Sequence, residues 1–153
     1  MQIAIADDFD LAKIARSGQC FRVKEWDDGL FRFVTGREVL YIRQQSSGRF
    51  EVSCPEKTWQ RVWVPYFDLQ RNYAAVQKII PDSDAYMKLA AGEGRGIRIL
   101  RQDPWEMLVT FIISQRKSIP AIRQAVELLA ERFGEAITTP RETLYTFPTA
   151  AQL

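Results

Sequence analysis

Hydrophobic and polar positions change their period twice along this chain. Residues 7–16, DDFDLAKIAR, place Phe9, Leu11, Ile14 and Ala15 on a partial helical stripe, with an aspartate available as cap. Ser17-Gly18-Gln19 ends that helix, and Gly18 suits a left-handed C-terminal conformation or a close backbone approach. The period then drops to two. Strand-like runs occupy 20–26, 30–35, 38–44 and 49–54, separated by short turns that carry Gly29, Gly36 and Gly48. Spacing this short predicts an antiparallel meander with one face covered by the flanking helices.

Pro55 breaks the sheet pattern, and helical spacing returns. One helix is expected through Trp59, Val62 and Trp63, closing near Pro65; a second over 70–80 carries Tyr73, Val76, Ile79 and Ile80; a third is short, over 83–91. The GEGRG run at 92–96 predicts a flexible connector, since it lacks both the phosphate-loop pattern and a preceding strand. Asp103-Pro104-Trp105-Glu106 is a helix start, with Glu106 three residues after Asp103 as in a capping box. Residues 105–113 are apolar on nearly every side, which predicts a helix in the middle of a bundle. After the polar turn Gln115-Arg116-Lys117-Ser118, Ser118 is placed to cap an amphipathic helix through Ile119, Ile122, Val126, Leu129 and Phe133, ended by Gly134. Thr149 reads as the cap of a helix only just begun at Leu153, so the chain reads as stopping inside a helical domain. The expected fold class is α+β: an antiparallel sheet domain over 1–82 and an incomplete α-helical domain over 83–153.

Charge and composition narrow the chemistry. The formal net charge is +2 over 153 residues, so a nucleic-acid partner must be met by a local patch. There is no histidine, which excludes Ser-His-Asp and Cys-His catalysis and histidine metal sites within these residues. No metal site and no cofactor are expected. Cys20 and Cys54 lack metal-ligand spacing and read as free thiols, with a disulfide as the alternative. The N-terminus lacks a basic segment followed by a long apolar core, and no apolar run approaches the ~20 residues that span a bilayer. No membrane partner is expected.

Five stretches in order resemble the 8-oxoguanine DNA glycosylases of the helix-hairpin-helix superfamily. They are SGQCFR at 17–22, YFDLQRNY at 66–73, GIRILRQDPWEML at 96–108, FIIS at 111–114 with IPAI at 119–122, and FPT at 147–149. The resemblance implies a sheet domain similar to a TATA-binding-protein repeat, packed on a helical domain, and excision of 8-oxoguanine flipped out of duplex DNA. It also implies base-excision repair, with a cytoplasmic, nucleoid-associated location in a bacterium or a nuclear one in a eukaryote. In the family a hairpin lysine attacks the sugar and an aspartate assists. No Gly-Val-Gly hairpin occurs in residues 1–153, and none of Lys13, Lys24, Lys57, Lys78, Lys88 or Lys117 sits in one. No catalytic residue is therefore assigned, and these residues alone are expected to be inactive.

The resemblance implies two sites. The Gly18 carbonyl would accept a hydrogen bond from the protonated N7 of 8-oxoguanine, a position where guanine has only an acceptor. The plain alternative is a helix C-terminal glycine, and both can hold at once. Gln115, Arg116, Lys117 and Ser118 would form a DNA-probing wedge, with a solvated inter-helix turn as the alternative. The better-known family members carry an asparagine run where this chain has Arg116-Lys117-Ser118, and an arginine where it has Ala121. Those groups read the cytosine opposite the lesion, so strict opposite-cytosine selectivity is not expected here. Arg95, Arg98 and Arg101 would line the DNA-facing side of the lead-in or form a solvated edge. Trp59, Trp63 and Trp105 read as core or interface residues. The apolar 105–113 helix, short of bundle partners, predicts self-association.

Overall fold

The computed structural model describes residues 1–153. Its centre is a five-stranded antiparallel sheet in the order β1-β5-β4-β3-β2. The strands are β1 (Gln2–Ala4), β2 (Val23–Glu25), β3 (Leu30–Thr35), β4 (Glu38–Ser46) and β5 (Arg49–Val52). The meander is as expected, with a fifth strand added: β1 pairs with β5 through Ile3 opposite Phe50. The 20–26 run shrinks to β2, because Cys20 and Arg22 turn into the interior before the ladder begins.

The first helix is also shorter than 7–16. Helix α1 spans Leu11–Arg16, capped by Asp10, whose carboxylate accepts from the Lys13 amide at 2.9 Å. Asp7 and Asp8 are held elsewhere, by the Tyr73 and Ala74 amides and by Arg95. Leu11 and Ile14 pack on one face of the sheet with Phe31, Phe33, Leu40, Ile42, Phe50 and Val52. The other wall of this core comes from Trp59, Trp63, Tyr66 and Phe67. Those four follow a helical segment in three parts: α2 (Glu56–Thr58), a π-helical turn (Trp59–Trp63) and α3 (Val64–Tyr66). Pro65 has no N–H to return to the preceding turn, and the helix widens so that the Val64 amide reaches Trp59 O. Edge-on contacts of Phe67 with Phe33 and Phe9 close the cluster, with ring centroids 5.1 and 5.4 Å apart.

The opposite face of the sheet is covered too, which the alternation did not predict. Helices α6 (Pro104–Ser114) and α7 (Ile119–Phe133) are followed by a hairpin of β6 (Ala136–Thr138) and β7 (Thr143–Tyr145) that had no counterpart in the sequence reading. The layer between is polar. Arg32 bonds Glu142 at 3.1 Å and lies 3.4 Å from Glu127; Tyr41 Oη meets Thr139 and Glu142 at 2.9 and 3.2 Å. Arg22, fully buried, donates to Tyr145 O and stands 3.7 Å from Glu127. This double covering explains why nearly every residue of β3 is inaccessible.

The connecting helices differ from expectation. Helix α4 is only Tyr73–Gln77, and α5 (Ala85–Glu93) runs on into the glycine-rich stretch. That stretch is not a flexible connector. Gly96 is buried, its carbonyl accepts from the Asp10 amide at 2.8 Å, and Lys13 Nζ bonds the Glu93 and Arg95 carbonyls. In the capping box, Asp103 accepts from the Glu106 amide at 2.9 Å, but the Glu106 side chain turns into the interior. Ser118 makes no side-chain cap bond to α7. The α6 helix is not buried all round: Leu108, Phe111 and Ile112 are more than half exposed. The side facing α7 is covered, and Thr110 and Glu106 are the buried residues of the helix.

Two outcomes follow from these contacts. Gly96 has φ +88°, and a Cβ there would come within 2.6 Å of the Asp10 Cβ. Gly96→Ala is expected to destabilise the chain by about 2–4 kcal/mol in denaturant unfolding, and a loss under about 0.5 kcal/mol would refute the close approach. Burial pushes the Glu106 carboxyl from 4.5 up to about 7; Arg22 pulls it down, while Asp103 and Glu127 add to the rise. The folded chain therefore holds a proton that the unfolded chain has released. The stability that this proton contributes, no more than about 3 kcal/mol, is fully present below pH 4.5 and is lost as pH climbs to about 7. Glu106→Gln is expected to remove that fall and to raise stability at pH 8, measured as unfolding free energy against pH.

Candidate nucleic-acid interface

The loop Ser17-Gly18-Gln19 stands where α1 must stop and the chain must enter the core at Cys20. Ser17 closes the helix twice, through its amide and its hydroxyl, both on Ile14 O. Gly18 then takes φ +79°, with open space on the side where a Cβ would stand. The hydrogen bonds of the loop end on Ser17 or Gln19, and none uses the Gly18 carbonyl. A half-buried carbonyl free of internal donors can accept one from outside.

The loop leans on residues 96–102, the lead-in to α6. Arg98 is the centre of that contact. It is fully buried, pairs with Asp7 at 3.0 Å, donates to the carbonyls of Asp68 and Arg71, and lies 4.3 Å over the Tyr73 ring. Burial alone would raise the Asp7 carboxyl, but the amides of Tyr73, Ala74 and Asp8 and the Arg98 charge hold it below its ordinary value. Arg95 pairs with Asp8 at 2.9 Å and Arg101 with Asp68 at 2.6 Å. Of the three arginines only Arg98 leaves the surface; Arg95 and Arg101 keep their side chains 63% exposed. Each answers an aspartate elsewhere in the chain, and the buried one is structural. Tyr73 Oη completes the cluster, donating to Asp68 and accepting from the Ile99 amide, each at 3.0 Å.

At the far end of α6, Gln115, Arg116, Lys117 and Ser118 are all exposed. Gln115 leaves the helix with extended backbone, and Arg116 turns left-handed, φ +57°. For a residue other than glycine, asparagine or aspartate this conformation costs about 1 kcal/mol. The Lys117 amide returns to Ser114 O at 3.2 Å, which makes the turn tight. Neither Arg116 nor Lys117 has an acidic partner, so both heads are available to an anion. Ala121 is half-buried on the first turn of α7.

The tryptophans divide. Trp59 and Trp63 belong to the core, while Trp105 is half-buried and donates from Nε1 to Pro148 O at 2.9 Å. Cys20 and Cys54 are free and buried; burial pushes both thiols up, and Tyr66 Oη lies 3.4 Å from the Cys20 sulfur. No helix is long and apolar enough to cross a membrane. The sequence reading missed the roles of Gln19, Gln102 and Arg22. An arginine inside a hydrophobic alternation, as at Arg22 in CFRV, was the only visible sign, and nothing in the sequence named its partners.

Residues 2–108 match the family described as the N-terminal domain of 8-oxoguanine DNA glycosylase. The chain is 41% identical to the N-glycosylase/DNA lyase of Saccharomyces cerevisiae, over 94% of this chain and 42% of that protein. Among solved structures, it is similar to the apo-form of the Clostridium acetobutylicum 8-oxoguanine glycosylase/lyase, at TM-score 0.91 and 32% identity, over 99% of this chain and 53% of the other. The same enzyme with double-stranded DNA containing cytosine opposite 8-oxoG gives TM-score 0.88 and 31% identity, over 100% of this chain and 55% of the other. The chain spans about half the length of these relatives. By the family match and the geometry together, this chain belongs to the 8-oxoguanine DNA glycosylase family.

Proposed function

We propose that residues 1–153 are the N-terminal part of a DNA glycosylase that removes 8-oxoguanine or a related oxidised purine from duplex DNA, with DNA lyase activity. On this reading the attacking lysine and the assisting aspartate lie outside these residues, which alone are inactive. The observation that carries the reading is Gly18: a left-handed glycine with an unused carbonyl, inside the stretch that matches the family. Its carbonyl accepts the N7 proton that distinguishes the oxidised base. A site built to accept that proton rejects guanine, because the carbonyl would then face the N7 lone pair.

The 115–118 turn enters the duplex as the base leaves it. Arg116 offers a planar fork to a base edge, and Lys117 a point charge to phosphate. The left-handed turn leaves Arg116 exposed between the two helices that support it. With Ala121 short and apolar, no side chain on the first turn of α7 can hydrogen-bond the opposite base. Opposite-base preference is then looser than in relatives that carry asparagine and arginine at these places.

The test uses the full-length protein on 8-oxoguanine duplexes with each of the four bases opposite. Arg116→Ala is expected to lower single-turnover excision by about tenfold or more, in line with one lost charge-assisted contact, and to change the order of opposite-base preference. Unchanged rates and preference would remove Arg116 from the site. A separate arm reads the strain: Arg116→Asn, better suited to left-handed backbone, is expected to stabilise the chain by about 0.5–1 kcal/mol. A loss of stability would show that the Arg116 side chain is held by the fold.

A further inference from the structure

A carbonyl that discriminates by a single hydrogen bond must be held still. Gly18 cannot hold itself: it has no side chain, and its left-handed backbone makes no bond of its own. What fixes it comes from its two neighbours: Ser17, held on Ile14 O, and above all Gln19. The Gln19 side chain spans the gap to the α6 lead-in, where Nε2 donates to Arg98 O at 2.9 Å and Oε1 accepts from the Leu100 amide at 3.0 Å. Nε2 also reaches Ser17 Oγ at 3.0 Å, across Gly18 itself. From the other side, Gln102 Nε2 donates to the Gln19 carbonyl at 2.6 Å.

These bonds have one geometry in common. A side-chain amide presents a donor and an acceptor two bonds apart, and the Arg98 carbonyl and the Leu100 amide are an acceptor and a donor on one extended stretch. Gln19 thus pairs with the lead-in as an added strand would, while its backbone carbonyl is taken by Gln102. The lead-in itself is immobilised by Arg98 below and by the Arg101 amide on Tyr66 O at 2.9 Å. One residue beyond Gln102 stands Asp103, the cap of α6, the helix that ends in the 115–118 turn.

We infer that Gln19, with Gln102 behind it, is a positioning residue: the amide contacts between the Ser17–Gln19 loop and residues 98–102 set where the Gly18 carbonyl stands relative to helix α6. The inference rests on the Gly18 reading proposed above. It makes lesion discrimination depend on two neutral side chains that need not touch DNA. A glutamate at 19 keeps the size and the acceptor for Leu100 but sets a carboxylate against the Arg98 carbonyl. A leucine at 102 removes a single bond and leaves the Gln19 side chain intact.

The experiment measures binding by the full-length protein and its Gln19→Glu and Gln102→Leu variants to three duplexes. One carries uncleavable 2′-fluoro 8-oxoguanine; the second carries its 7-deaza counterpart, with C–H where the lesion has N7–H; the third carries an abasic tetrahydrofuran. The wild type is expected to prefer 8-oxoguanine over the 7-deaza base. Gln19→Glu is expected to reduce that preference about tenfold, the factor that one well-made hydrogen bond supplies, and Gln102→Leu by a smaller factor. Affinity for the abasic duplex, which has no base to read, should stay within about twofold. A wild type without preference overturns the Gly18 reading and this inference together. A wild-type preference that both variants retain overturns the inference alone. Should Gln19→Glu weaken binding to all three duplexes alike, Gln102→Leu decides, and an equal loss there overturns positioning in favour of a merely structural staple.

Discussion

A guanidinium with no access to water must be surrounded by acceptors, or the fold loses several kcal/mol. Arg98 answers that demand at its two terminal nitrogens, with one carboxylate and two backbone carbonyls, and stacks on an aromatic face, while its Nε has no partner; these groups come from the segment before α1 and from residues 68–73. Asp7 can serve only because its own oxygens are bound by the Tyr73 and Ala74 amides. The pair therefore ties three separated pieces of chain into one corner. Removing Asp7 leaves the fully buried Arg98 without its counter-charge, which is the expensive case. The left-handed Asp68, the Gly96 contact with Asp10 and the Gln19 contacts all sit against this corner. Its consequence for function is mechanical: the loop that carries Gly18 and the helix that carries the 115–118 turn share one anchored lead-in.

The two faces of the sheet do different work. The face toward α1 and the tryptophans is apolar and tightly packed, and it supplies the driving force for folding. The face toward α7 and the hairpin is an ionic layer of Arg22, Arg32, Glu127 and Glu142. Such a layer adds little net stability compared with apolar packing, but it fixes one orientation, because each buried charge has few acceptable partners. Glu106 stands at the edge of this layer and titrates near neutrality for the same reason, burial set against a nearby arginine. The exposed apolar side of α6, with Leu108, Phe111 and Ile112, has no such cover.

The sequence carried the sheet more fully than the helices. Four strands and their glycine turns were legible, the first only in its second half, because alternation and turn chemistry are local signals. Strand β1 was not, since three residues leave no period to detect; neither was the β6–β7 hairpin, with Pro140 in its turn and strands equally short. Residues 105–113 read as buried because hydrophobicity reports a preference, not whether a partner is present. Arg98 misled for a related reason. A sequence shows the charge of Arg98 but not that Asp7, 91 residues away, waits for it. At the site, the conformation of Gly18 was anticipated from helix-stop chemistry, while the Gln19 and Gln102 contacts depend on a lead-in whose path only the fold defines.

Whether the lead-in and the sheet are one cooperative unit decides how firmly Gly18 is placed. Native-state hydrogen exchange on this chain reads it directly, through the amides of Leu100 and Arg101 against those of Phe33 and Leu40 in the core. Opening free energies for Leu100 and Arg101 within about 1 kcal/mol of the core values are expected, with all four falling together when Arg98 is replaced by methionine. Rapid exchange at Leu100 and Arg101 while Phe33 and Leu40 stay protected would contradict a shared anchor. It would leave the 96–102 stretch as a tether, not a strut.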